Sequence, residues 1–172
     1  MKKFARLTAL LLAGALLFLM TACGGPTAEQ KAKADVLNAI NSYRTAQKLD
    51  PVQEVKQLSA LEEIWAAPYR KAQKSELPES ALKEMRDAYN KMDDTIEDWE
   101  YCDDLGVGWF NVKDEEVVRL TFKIPTDANA LQSKLASAVD LDCENITAVG
   151  MAVVNIEGDG MYLICVTYHP DL

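Results

Sequence analysis

The hydrophobic period of this chain changes once, after Asp104, and that change constrains the fold more than any single motif does. Ahead of it, apolar residues recur at helical spacing. Beyond it, they run in short blocks separated by Gly, Pro and charged residues, the pattern of strands and turns. From Ala32, the residues Val36, Leu37, Ile40, Tyr43 and Ala46 make one apolar helix face. Asp50-Pro51 breaks that helix, since a residue before proline is biased away from helical geometry. Asp50 is placed to cap a second helix with Pro51 at its first position, and Val55, Leu58, Leu61 and Trp65 line one side of it. Pro68 is expected to end or kink this helix. A third helix opens at Leu77-Pro78-Glu79-Ser80 and carries Leu82, Met85, Tyr89, Met92, Ile96 and Trp99 in a heptad stripe. Such a stripe supports either a coiled-coil dimer or packing within the domain, and its shortness favours the second.

Leu105 to Val112 and Val117 to Ile124 read as a hairpin turning at Lys113 to Glu116. Thr126 or Asp127 then caps a helix with Ala130, Leu131, Leu135, Ala138 and Val139. Ile146 to Ile156 and Met161 to Tyr168 form a second hairpin, turning at Glu157-Gly158-Asp159-Gly160. Tyr162 to Val166 is apolar throughout, as expected of a strand covered on both faces. The two hairpins align at an offset of 44 residues, with Gly106 on Gly150 and Asn111 on Asn155, through duplication or coincidence. An α+β class follows. One arrangement is three N-terminal helices followed by a ββ-α-ββ unit, giving a four-stranded sheet with helices on one face.

Lys2, Lys3 and Arg6 precede an uncharged apolar run from Leu7 to Met20, and Thr21-Ala22 places small residues before Cys23. This is the layout of a secretory signal with a processing site. With the cysteine directly following, it resembles a bacterial lipobox, which implies a lipid on Cys23; an ordinary signal peptide or an uncleaved anchor helix is the other reading. The run is shorter than the roughly 20 apolar residues of a comfortable span. The expected organisation is a signal peptide at 1–22, a lipidated Cys23 and flexible tether at 23–31, and one extracytoplasmic domain at 32–172. The membrane is then a partner through that lipid. Whole-chain net charge is −9 and becomes more negative once the three basic residues of the signal leave. Nucleic acid and anionic head groups are poor partners for such a surface.

Catalytic and metal-binding signals are thin. Cys102, Cys143 and Cys165 have no C-x-x-C spacing and leave one disulfide plus a thiol, or three thiols, open. His169, the one histidine, stands near the C-terminus, and no G-x-S-x-G elbow occurs. Asp93, Asp94, Glu97, Asp98, Glu100, Asp103 and Asp104 form an acidic cluster, mostly on the heptad helix, without the spacing of a calcium loop. No catalytic residue, metal ligand or cofactor motif is therefore assigned. Trp65, Trp99 and Trp109 read as core residues; two of them exposed together would point to glycan binding, because an aromatic face stacks on a sugar ring.

Two stretches resemble the CAP superfamily, the SCP-like domain of cysteine-rich secretory, antigen-5 and pathogenesis-related proteins. One runs from Val36 to Arg44, continuing through Leu49-Asp50-Pro51-Val52 and Leu58 to Ala67; the other runs from Asn145 to Val154 and ends at Tyr162 to Tyr168. The resemblance implies an α-β-α sandwich around an antiparallel sheet, with Asn41 and Arg44 anchoring the first helix or bordering the cleft. Neither family histidine has a match here, so it also implies a cleft without the metal. The expected function is a non-catalytic binding or interaction domain of a membrane-anchored lipoprotein at the cell envelope, its ligand or protein partner unspecified. The alternatives are a metal-assisted hydrolase using the acidic cluster and His169, or a scaffold dimerising through the heptad helix.

Overall fold

The computed structural model describes residues 25–93, 100–112 and 115–169. Among them are four α-helices and eight strands in two largely antiparallel sheets, a mixed α+β architecture. Helix α1 (Ala28–Ala46) begins inside the stretch read as a tether, because Thr27 and Gln30 cap it reciprocally. The Gln30 N–H donates to Thr27 Oγ1 at 3.2 Å and the Thr27 N–H to Gln30 Oε1 at 2.9 Å. Strand β1 (Gln53–Glu54) and helix α2 (Lys56–Ala72) follow. Asp50 does not cap α2; the residue before that helix is Val55, which gives no side-chain cap. Pro68 does not end α2 either. The helix continues to a left-handed Gln73 (φ 52°), since burial of Ala66 and Tyr69 on its inner face outweighs one missing hydrogen bond.

Strand β2 (Glu76–Pro78), a 3-10 turn (Glu79–Leu82) and helix α3 (Lys83–Asp93) lead to β3 (Glu100–Leu105), which the sequence reading had not placed. Next come β4 (Val107–Val112), β5 (Glu115–Leu120), β6 (Phe122–Lys123), α4 (Ala128–Ala138), β7 (Ala148–Ile156) and β8 (Gly160–His169). Asp127 caps α4 by accepting from Ala130 N at 2.8 Å. Glu115 and Glu116 belong to β5 rather than to the preceding turn.

The hairpin β7–β8 is the centre of the main sheet. Beta-1 extends it on the β7 side in parallel, and β3 and β6 lie along the β8 side. Val149, Met151, Val153, Leu163 and Cys165 pack under α1 and α4, while Ala152, Val154, Ile156, Tyr162 and Ile164 meet α2 and the small sheet. Both faces are thus covered, and the uniformly apolar stretch 162–166 has its cause.

The arrangement with four strands in one sheet and helices on a single face does not form. Beta-4 and β5 instead join β2 in a separate sheet of order β2-β5-β4. Gly106 diverts the chain. Its φ of 118° breaks the strand, and a Cβ there would lie 2.1 Å from the Leu163 carbonyl oxygen. The chain returns at Thr121, whose N–H donates to the Gly106 carbonyl at 2.8 Å. Between these points the chain makes the excursion of β4 and β5, residues 107–120. It is held from below by Leu77, Val118 and Leu120 packed on Ala66 and Tyr69. The Tyr69 hydroxyl donates to the Val118 carbonyl at 3.2 Å, and burial pushes its ionisation well above the usual tyrosine range. Gly106 and Gly150, aligned by the 44-residue offset, play unrelated parts, one a bend and the other mid-strand.

Beyond the two residues of β1, the outer edge of β7 is closed by single groups from other elements. The Met151 N–H donates to Ser59 Oγ (3.1 Å), Val153 O accepts from Arg70 Nη2 (2.9 Å), and the Asn155 N–H donates to Glu29 Oε1 (3.0 Å). The elements that supply these groups cover the edge and obstruct pairing with another strand.

Candidate functional site

Asn41 and Arg44 both serve the backbone. The Asn41 amide pairs with Val52 in both directions, donating to its carbonyl at 3.0 Å and accepting from its N–H at 2.8 Å. Arg44 is fully buried, and its guanidinium donates to four carbonyls: Asp50 (2.8 Å), Leu141 and Cys143 (2.9 Å each) and Ile146 (3.2 Å). Burial lowers its pKa from the ordinary arginine value, and the converging carbonyl dipoles compensate the buried charge. These two residues tie α1 to the loops on either side of it and line no groove.

Cys23 lies outside the described residues, as do Asp94, Glu97, Asp98, Ile96 and Trp99. Glu100, Asp103 and Asp104 fall on β3, so the acidic cluster is divided between a helix and a strand. His169 is the last residue of β8, paired in register with Glu100, rather than a residue after the final strand. Cys165 is buried in the core under α1 and α4, and Cys143 packs against it. Among the described residues no three His, Cys, Asp or Glu side chains group as a metal site, and no helix is long and apolar enough to cross a membrane.

The heptad stripe is spent inside the domain over its first half. Among its described members, Leu82, Met85 and Tyr89 are buried and Met92 is exposed, at 37%. Tyr89 meets Trp65 of α2 with ring centroids 5.3 Å apart and planes tilted by 52°.

The most open aromatic surface lies beside this contact. An open groove of about 550 Å³ runs between α3 and the small sheet, lined by Trp65, Glu79, Arg86, Tyr89, Asn90, Trp109 and Glu116. Its far wall is the β4–β5 hairpin, where Trp109 pairs in register with Val118 and Asn111 with Glu116. Strand alternation sets Trp109 and Phe110 on opposite faces. Neither joins the core: Trp109, opposite Val118, overhangs the groove with 49% of its surface in solvent, and Phe110 on the other face keeps 40%.

Charges fix the indole. The Arg86 guanidinium lies 4.5 Å from the Trp109 ring centroid and donates to Glu79 Oε1 at 3.2 Å. Glu79 and Glu116 interact across the groove as a pair able to share a proton by hydrogen bonding. That interaction, with the Arg86 contact, lowers the Glu79 pKa, whereas the same interaction and the Glu79 charge raise that of Glu116. One carboxyl therefore keeps its proton more readily than an isolated glutamate does. On the opposite face of the hairpin, Arg119 sits 5.1 Å over Phe110 and pairs with Glu76.

Trp65 and Trp109 stand out separately in the sequence, whereas nothing local marks Arg86, Asn90, Glu79 and Glu116 as their neighbours. Adjacent Trp109-Phe110 on a strand was the available signal, since one of the two had to point away from the core. The chain matches no family model, no curated protein and no solved structure.

Proposed function

We propose that the chain is an extracytoplasmic lipoprotein anchored through Cys23, whose domain is a non-catalytic binding module that takes its ligand in the groove between α3 and β4. A divergent CAP/SCP-like sandwich is the proposed architecture. Helices on both faces of a sheet centred on β7–β8 support it, as does an opening helix fastened by Asn41 and Arg44. The observation that carries the binding role is Trp109: half exposed, held in orientation by Arg86, and part of a groove that also holds Trp65 and Tyr89. Leaving a large apolar ring in water forgoes burial worth about 1.5–3 kcal/mol, and binding would recover part of it.

Two measurements test the two halves. Cys23→Ala should release the protein from the membrane fraction or block its maturation, and unchanged tight membrane association would sink the anchor. A photoreactive phenylalanine analogue at position 90, in the full-length protein in its native envelope, should form an adduct that disappears in Trp109→Ala. No adduct at position 90 would remove the groove as the binding site.

A further inference from the structure

We infer that the groove's ligand is an uncharged saccharide built of flat pyranose rings with equatorial hydroxyls. This inference rests on the groove reading above and names the chemistry of its occupant.

The groove combines the two groups that recognise such a ring. Trp109 offers an indole that keeps 49% of its surface in solvent, with the Arg86 guanidinium 4.5 Å from its ring centroid. An equatorially substituted pyranose presents axial C–H groups above and below its plane, and these pack on the negative face of an indole. Around that platform stand Glu79, Glu116 and Asn90, whose oxygens and amide can accept from and donate to ring hydroxyls. Trp65, partly buried against Tyr89, lines the same groove. The volume of about 550 Å³ holds more than a monosaccharide and stays open, as a chain passing through requires.

Charge narrows the class. Two carboxyls in the groove and a whole-chain charge of −9 disfavour anionic polymers such as nucleic acid or sulfated and uronic glycans. A cationic ligand would seek the indole face, but Arg86 already supplies that cation–π contact and would repel a second charge. A neutral polyol meets neither penalty. Arg86 also fixes the indole before the ligand arrives, which lowers the ordering cost of binding.

The test uses the full-length chain in a non-glycosidic detergent, titrated with chitohexaose and with cellohexaose while tryptophan fluorescence is followed. Co-sedimentation with insoluble chitin is measured in parallel. Saturable binding of at least one hexaose is expected, weakened about tenfold or more in Trp109→Ala, the loss typical of truncating a central aromatic contact. Trp109→Phe, which keeps a smaller ring, should fall between the two and guards against a folding artefact. Sedimentation with the polymer as well assigns the ligand to glycan strands, and binding of the hexaose alone assigns it to free oligosaccharide. No response to either hexaose, or equal affinity in Trp109→Ala, overturns the inference. The position-90 adduct separates the two levels: a polypeptide adduct without hexaose binding sinks the saccharide and leaves the groove, whereas neither adduct nor binding sinks both.

Discussion

In the main sheet every residue of β7 except Asn155 is buried, and its outer edge is closed by Ser59, Arg70 and Glu29. In the small sheet the outermost strand, β4, leaves Trp109 and Phe110 with 49% and 40% of their surface in solvent. Both regions rest on an antiparallel hairpin, and each has an arginine on a helix beside it, Arg44 holding the loops that flank the main sheet. Arg44 is buried against four carbonyls, whereas Arg86 remains 39% exposed between a carboxylate and an indole face. The difference separates scaffold from site. Where both faces are covered and the outer edge is taken up by other elements, a region has little surface left to offer a ligand. The small sheet is held on one side only, through Leu77, Val118 and Leu120, and keeps its aromatic residues for contact with something else.

Exchanging the same residue type in each region should expose this contrast. Arg44→Met leaves four carbonyls without their donor, at about 1–3 kcal/mol for each that water cannot reach. The expected loss is about 4 kcal/mol or more in urea denaturation, with expression itself impaired. Arg86→Met removes a partly solvated ion pair and a cation–π contact, and its cost should stay below about 1 kcal/mol. Equal losses for the two arginines would dissolve the distinction. Glycines give the next contrast. A Cβ on Gly150 would stand 2.3 Å from Leu58 Cβ and 2.6 Å from the Leu58 carbonyl carbon, so α2 itself must move. Gly150→Ala should cost about 3 kcal/mol, the upper part of the range for overpacking. A Cβ on Gly108 would meet only Thr121 Cγ2 at 2.7 Å and the Phe110 ring at 3.0 Å, both able to swing away. Gly108→Ala should therefore cost under about 1 kcal/mol. A Gly108→Ala loss matching that of Gly150→Ala would show the small sheet to be as rigid as the main one.

The same division explains what could be read from the sequence. Local signals carried well: the apolar stripes of α1 and α2, the Asp127 cap of α4, and the β7–β8 hairpin with its turn at Glu157 to Gly160. The Thr27-x-x-Gln30 capping box was also local and would have moved the start of α1 to Ala28. Failures came where partners distant in sequence decide. Val117 to Ile124 looks like one strand, yet it serves two sheets, because Leu120 follows β4 while Phe122 pairs with Leu163. Beta-3 was hidden because Glu100 to Leu105 is acidic and lacks alternation; its pairing with β8 makes it a strand. The groove was legible only as two tryptophans, since Glu79, Arg86 and Glu116 acquire meaning from the way the hairpin docks over α3.

The smallest expected effect concerns how that docking is held. Glu79 and Glu116 interact across the groove, and two neighbouring carboxyls are most favourable when one of them keeps a proton. The raised pKa of Glu116 means that its contribution is present while it is protonated and is lost as pH rises through its folded value. The lowered pKa of Glu79 works in the opposite sense: its contribution is present above the unfolded value and is lost as pH falls through the folded one. The pair is thus most favourable where one proton is held between them, and weaker on both sides. Glu116→Gln supplies the N–H donor permanently and removes the like charge, so only the acid-side loss should survive. Melting temperatures compared over about pH 4–8 should show the variant gaining on the wild type as pH rises, by no more than about 2 °C because both groups are solvated. Parallel curves would mean that the hairpin is held by Val118 and Leu120 alone and that the carboxyl pair belongs to the groove rather than to the fold.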